Sequence, residues 1–317
     1  MSLTIPKSLK HGDTIGLISP SSGPHKLALH RIDNAVLMLT KLGYKVKIGK
    51  HARNSNGYIS DTVENRVQDI HDMFLDKEVT MIMCTIGGNN SNQIIKYLDY
   101  ELIKNNPKIF MGYSDITVLH YALQSQANLA TYYGPCAMTQ FADYPKILEY
   151  TLEYFKNEVA SEALKQSYNI IASEYWTEEF LNWFEKEDLT RPRKLEINTG
   201  YEWIQEGIAE GPLLGGAILS VNHLAGTKYW VNPQGAIFFL DILKEEGALN
   251  ESAIDSFLTD LDNMGVFDNA SGIIISRPTG HSKEDIDRLM RLFKRYAKEK
   301  CPMLFNVNIG HSAPIVT

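Results

Sequence analysis

Apolar and polar positions in the first half of the chain alternate between runs of strand length and runs of helical period. Thr14 to Ser19 reads as a buried strand, and Lys26 to Leu42 carries a helical apolar stripe that Gly43 closes. Tyr44 to Ile48 reads as strand, Val63 to Leu75 as helix and Thr80 to Thr85 as strand. Ser91 to Leu98 follows as helix, Ile109 to Gly112 as a short strand and Ile116 to Gln124 as helix. This βαβα succession predicts an α/β fold with a Rossmann-like, mostly parallel sheet covered on both faces.

From about residue 158 to 205 the pattern breaks. Trp176, Trp183, a Glu-rich stretch from Glu178 to Glu187 and Arg191-Pro192-Arg193 fall there. An irregular stretch of this length is uncommon inside one compact domain and is often a lid or binding loop. It is assigned as a connection, 161–205, between an N-terminal domain, 1–160, and a smaller α/β C-terminal domain, 206–317. In the latter, Gly215-Gly216 reads as a turn, followed by a helix to about Ala225 and a strand from Ala236 to Leu240. A helix from Glu251 to Asn263, a strand from Gly272 to Ser276, a helix from Ser282 to Lys298 and a strand from Met303 to Val307 complete it.

Composition narrows the class. With 317 residues and 44% apolar side chains the chain can bury two cores. No window approaches the roughly 18 apolar residues of a membrane span. A net charge of −7 repels a phosphate backbone on average, which argues against nucleic acid as partner. Cys84, Cys136 and Cys301 are widely spaced, with no CxxC or His-rich neighbour. That predicts buried, reduced thiols in a cytoplasmic protein and no zinc site. The start lacks a basic segment followed by an apolar one, so no export signal is read there.

Ligands of open α/β sheets meet the carboxyl ends of strands, and three such ends carry chemistry. In Gly112-Tyr113-Ser114-Asp115-Ile116-Thr117 a strand turns sharply into a helix around one hydroxyl, the layout of a nucleophile elbow, although Ile116 stands where GxSxG has Gly. The bland reading is Ser114 as an N-cap. Cys84-Thr85-Ile86-Gly87-Gly88-Asn89-Asn90-Ser91-Asn92 is a second strand, turn and helix, whose backbone N–H groups suit a phosphate or an oxyanion; it fits neither GxGxxG nor the P-loop. Third, Asp241 and His311 each follow a strand, an acid and an imidazole able to orient and deprotonate a serine.

Taken together, these segments resemble the LD-carboxypeptidase family of serine peptidases (peptidase family S66). The likeness rests on Gly112-Tyr113-Ser114-Asp115 with Thr117, Ile86 to Asn92, Tyr133-Gly134-Pro135, Leu214-Gly215-Gly216, Gly226-Thr227 and Gly310-His311-Ser312-Ala313-Pro314. It runs over nearly the whole chain and is strongest toward the microcin C immunity branch (MccF-like). The resemblance implies a Ser-acid-His triad with Ser114 as nucleophile and His311 as general base. It also implies an oxyanion hole from the N–H groups of Asp115 and Gly88, no metal or cofactor, and a homodimer. Asn89 and Trp176 are the implied substrate-binding residues, Trp176 by stacking on a nucleotide-like group, while Trp183 is the second candidate. Arg191 or Arg193 is a candidate for holding a free carboxylate.

Two departures stand out. Where the family usually has Glu after the apolar strand, this chain has Asp241, with Glu245 and Glu246 as alternative acids; where it often has Asn after Gly-Gly, Ala217 stands. The implied function is hydrolysis of an amide bond in a small peptide or peptidyl-nucleotide substrate, either a microcin C-type aminoacyl nucleotide or a murein L,D-tetrapeptide. The alternative is a non-catalytic α/β binding protein with an impaired triad. The apolar ending at Thr317 is expected to continue in the family pattern, so a longer native chain is anticipated.

Overall fold

The structure is a computed structural model that describes residues 3–160, 168–244, 250–299 and 301–317. It divides into two compact units: residues 1–170, 179–194 and 316–317 form the first, and residues 171–178 and 195–315 the second.

The first unit contains β1 (Thr14–Ile18), α1 (His30–Lys41), β2 (Lys45–Ile48), α2 (Val63–Leu75), β3 (Val79–Cys84), α3 (Tyr100–Asn105), β4 (Ile109–Gly112), α4 (Thr117–Ala127), β5 (Tyr132–Tyr133) and α5 (Glu149–Phe155). Its sheet runs β2-β1-β3-β4-β5, parallel throughout. Met81, Met83, Ile109 and Met111 join Ile32, Ala35 and Leu39 of α1 in one core. Phe110, pointing the other way by strand alternation, stacks on Phe74 of α2 with ring centroids 6.3 Å apart. Burial on both faces is why these strands read as unbroken apolar runs. The chain leaves β1 for β2 on one side and returns to β3 on the other. The carboxyl ends of β1 and β3 therefore flank a topological switch point, where open α/β sheets bind ligands.

In the second unit a ribbon pairs β6 (Tyr175–Trp176) with β7 (Glu196–Ile197) in antiparallel fashion. The sheet is built from β8 (Glu202–Gln205), β9 (Leu213–Ala217), β10 (Ile237–Asp241), β11 (Gly272–Ser276) and β12 (Met303–Val307). Its order is β8-β12-β11-β10-β9, with only β8 antiparallel. The helices are α6 (Ile218–Asn222), α7 (Glu251–Asn263), α8 (Val266–Asn269) and α9 (Lys283–Tyr296). Side chains fix several starts: Thr62 caps α2, Asn250 caps α7, and Ser282 with Asp285 forms a capping box on α9.

The mixed α/β class and the parallel first sheet agree with the sequence reading, and α2, α7, β4, β11 and β12 agree in both bounds. Ser91 to Leu98 is not a helix but two 3-10 turns, Ser91–Gln93 and Ile95–Tyr97. The Ser91 N–H and hydroxyl are spent on Asp115, so the backbone there answers a tertiary partner. Gly215-Gly216 is not a turn but the middle of β9. A Cβ at Gly215 would sit 1.9 Å from the Phe239 carbonyl oxygen, so the glycine serves close strand approach. The 161–205 stretch is not structureless, since β6, β7 and β8 lie in it; isolated pairs of residues and an edge strand give no periodicity to read.

Phe110→Ala is expected to cost about 3–5 kcal/mol of stability, because the ring is fully buried between Phe74 and His120. Urea unfolding midpoints at constant slope check it.

Candidate active site

Ser114 lies directly after Tyr113, which follows β4, and its backbone has φ 65°, in the left-handed region that a side chain with a Cβ rarely adopts. A 3-10 turn, Ser114–Ile116, then leads into α4; the N-cap positions are Tyr113 and Ile116, so Ser114 is not a plain helix cap. Its conformation is held from several sides. Its N–H donates to the Tyr133 hydroxyl (3.1 Å), and its carbonyl accepts the Thr117 hydroxyl (2.6 Å). The Gly112 carbonyl just upstream accepts Nε2–H of His120 (2.9 Å) and the Gly134 N–H (3.1 Å). Burial pulls the His120 pKa down to about 4, so this imidazole is neutral and serves as a fixed donor.

The glycine turn after β3 lies against the elbow. A Cβ on Gly87 would sit 2.8 Å from the Ser114 Cβ and 3.0 Å from its Oγ, so only glycine leaves this side of the hydroxyl open. Gly88 has φ 144° and faces the Ser21 and Ser22 hydroxyls, while Asn89 is exposed on the turn. Asp115 is 1% exposed; its Oδ2 accepts the Ser21 hydroxyl at 2.5 Å and the Ser91 N–H at 2.8 Å. Cys84 and Cys136 are fully buried in this unit, and burial pushes their thiols up, Cys136 to about 12. Neither is a thiolate at neutral pH, which leaves the hydroxyl of Ser114 as the nucleophile candidate.

In the second unit Asp241 is the last residue of β10, fully buried, beside Ala217 on β9. His311 Nδ1 lies 2.9 Å from Asp241 Oδ2. Gly310 makes room for this contact: its φ is +81°, and a Cβ there would fall 1.9 Å from Asp241 Oδ1. The Ile242 N–H, next along the chain, donates to the buried Ser276 hydroxyl at 2.8 Å and fixes the peptide behind the acid. The shorter Asp241 therefore reaches the imidazole; Glu245 and Glu246 lie outside the described residues. Among the described residues, no group of His, Cys, Asp and Glu is arranged to hold a metal ion.

The loop candidates have other engagements. Trp176 belongs to the second unit and stacks on the Arg277 guanidinium at 4.5 Å. Trp183 belongs to the first, where it lies 4.5 Å from the Arg31 guanidinium and packs against the core. Arg191 is paired with Glu179 and Glu187, and Arg193 with Asp143, so both guanidinium groups already hold carboxylates of this chain. Sequence reading missed Ser21, Tyr133 as a hydrogen-bond acceptor, His120 and Arg66. Three left a trace: Ser21 sits in a polar run just past β1, Tyr133 stands in the motif Tyr133-Gly134-Pro135, and Arg66 interrupts the apolar stripe Val63, Val67, Ile70, Phe74.

Models of the LD-carboxypeptidase N-terminal and C-terminal domains match residues 15–134 and 210–317. The chain belongs to the LD-carboxypeptidase family. A solved MccF-like protein from Bacillus anthracis is 35% identical, with a TM-score of 0.88 over 99% of this chain and 92% of its own. The "Probable murein peptide carboxypeptidase" of Bacillus subtilis is 31% identical over 98% of this chain and 88% of its own length. The microcin C7 self-immunity protein MccF of Escherichia coli is 30% identical over 96% of this chain and 88% of its own. A structure of MccF in complex with aspartyl sulfamoyl adenosine has a TM-score of 0.87, at 28% identity, over 99% of this chain and 92% of that one. Membership makes this LD-carboxypeptidase relative a carboxypeptidase-type hydrolase of peptide-like substrates. No helix among the described residues is long and apolar enough to cross a membrane.

Two outcomes are expected. Gly310→Ala will separate Asp241 from His311, seen as loss of the downfield Nδ1–H proton resonance of His311 in a protein that still folds. For His120, the folded chain takes up the proton only near pH 4, whereas the unfolded chain does so near 6.5. Its contribution is complete above about pH 6.5 and is lost as pH falls toward 4, on the order of 3 kcal/mol. His120→Gln keeps a donor but removes that titration, so urea midpoints of the variant should fall less steeply over this window.

Proposed function

We propose that the chain is a serine carboxypeptidase acting through an acyl-enzyme on Ser114, with His311 as general base and Asp241 as the orienting acid. The observation that carries this reading is the φ of 65° at Ser114, strain that a non-glycine residue retains where a hydroxyl must stand clear of a strand-to-helix turn. The 2.9 Å contact of Asp241 with Nδ1 supports it, because it leaves Nε2 as the nitrogen to act on the serine. It also weakens the case for an impaired triad in a mere binding protein.

The reading requires Nε2 of His311 to meet Oγ of Ser114. As Oγ attacks the substrate carbonyl, Nε2 takes its proton, and the N–H groups of Gly88 and Asp115 receive the developing oxyanion. Collapse expels the amine, which leaves with that proton. Water then gives a proton to His311 and attacks the ester, releasing the acyl group as a carboxylic acid and restoring Ser114.

A microcin-type aminoacyl nucleotide and a murein L,D-tetrapeptide are the candidate substrates, in line with what the relatives are named for or bind. For the nucleotide, Trp176 is the assigned stacking residue, its far face from Arg277 serving the base, with Asn89 as a polar contact. A homodimer in the cytoplasm completes the proposal; the three buried free cysteines suit a reducing compartment.

Ser114→Ala is expected to fold normally and to lose all turnover of whichever substrate the wild type hydrolyses in a side-by-side assay. Asp241→Asn should lower kcat by about 10³ to 10⁴. Hydrolysis by Ser114→Ala at the wild-type rate, or no labelling of folded wild type by a fluorophosphonate, would sink the assignment and favour a binding protein.

A further inference from the structure

The turn proposed to carry one oxyanion donor has no helix or strand of its own. Residues 87–90 follow β3, and residues 19–22 follow β1, on the two sides of the switch point. Two buried side chains of opposite charge hold residues 20 and 21 of the one segment and residues 90 and 91 at the end of the other. Oδ2 of Asp115 accepts the Ser21 hydroxyl and the Ser91 N–H, and Ser21 Oγ in turn accepts the Asn90 N–H at 3.3 Å. The Ser22 N–H donates to the Gly87 carbonyl at 3.1 Å. From α2, Arg66 donates to the carbonyls of Pro20 (3.1 Å) and Asn90 (3.2 Å) and to Gln93 Oε1 (2.6 Å).

Asp115 is 1% exposed and Arg66 2% exposed, so neither charge is screened by water. Burial pulls the Arg66 pKa down, and the negative field of Asp115 is the largest influence opposing it. A buried carboxylate and a buried guanidinium are each costly alone, and side chains of this kind persist where hydrogen bonds satisfy them.

Resting on the oxyanion reading above, we infer that Ser21, Arg66 and the Asp115 side chain are positioning residues that fix the Gly88 amide relative to the Asp115 amide. Asp115 has two jobs at once. Its backbone N–H sits in the turn that carries Ser114, and its side chain tethers the glycine turn. One residue thus sets the spacing of the two donors. Oxyanion donors must lie about 2.7–3.1 Å from the developing charge. A displacement of about 1 Å in such a site costs about 10²-fold.

Ser21→Ala removes the hydroxyl that links Asp115 to the Asn90 N–H while adding no bulk. Its kcat is expected to fall about 10²-fold with KM changed by less than about twofold, since the donors act on the transition state and not on the bound substrate. A peptide aldehyde that forms a tetrahedral adduct should lose affinity in step with kcat/KM. Substrate binding to the Ser21→Ala/Ser114→Ala double variant should match binding to Ser114→Ala. Amide exchange at Gly88, Asn90 and Ser91 should quicken in Ser21→Ala. Wild-type kcat in that variant, or a raised KM with kcat kept, overturns the inference while the Ser114 reading stands. If Ser114→Ala proves active, the serine reading falls by itself. Amide exchange then decides the clamp, and unchanged rates at these three positions overturn it.

Discussion

A left-handed backbone at a residue with a Cβ costs about 1–2 kcal/mol, and at Ser114 it persists because its surroundings allow nothing else. Tyr133 takes the serine N–H, Thr117 holds its carbonyl, and His120 and Gly134 hold the carbonyl of Gly112. Relaxing φ would break several of these bonds to relieve one strained torsion. Glycine would adopt the turn without strain but would carry no hydroxyl. The neighbours supply what the serine cannot: a side chain on Gly112 would press within 3.0 Å of Ile116, and one on Gly87 within 2.8 Å of the Ser114 Cβ.

The same device recurs in the second unit, where Gly310 leaves the volume that Asp241 fills on its way to His311. Close contact between histidine and aspartate is not distinctive in itself. His30 meets Asp188 at 2.9 Å, and His51 meets Asp69 at 2.9 Å with Gly49 cut back beside the acid. Those two contacts do structural duty. The first joins the Arg31 and Asp143 network, and in the second the His51 backbone N–H shares the carboxylate. The Asp241 and His311 contact differs by its place, at the carboxyl end of β10 and past β12, within the range matched by the LD-carboxypeptidase C-terminal domain.

What the sequence made legible follows from the range of each interaction. β4 and β11 were readable because burial on both faces demands apolar runs, and α2 and α7 because one buried stripe and one capping side chain define them. Ser114, Gly88, Asp241 and His311 could be listed because each lies beside a strand end, in a local motif. Ser91 to Leu98 failed because its first turn is drawn to Asp115, and β9 failed because its glycines answer a neighbouring strand. Ser21, Arg66 and Tyr133 acquire roles only through partners between 19 and 94 residues away, and one-dimensional spacing does not encode these.

The buried Arg66 also bears on an electrostatic conflict within the proposed chemistry. A buried carboxylate on the residue after the nucleophile opposes negative charge developing at its own backbone N–H, and low dielectric magnifies that opposition. Its two hydrogen bonds to Oδ2 spread the charge, and the positive field of the buried Arg66 guanidinium acts against it. What remains at short range is the directed dipole of each N–H group, which stabilises an oxyanion only where the geometry is right. Holding the donors rigid and cancelling the cost of the group that holds them are thus one requirement. In this reading that is the use of a buried cation on α2, remote in sequence from the elbow, that donates to the Asn90 carbonyl at the end of the glycine turn.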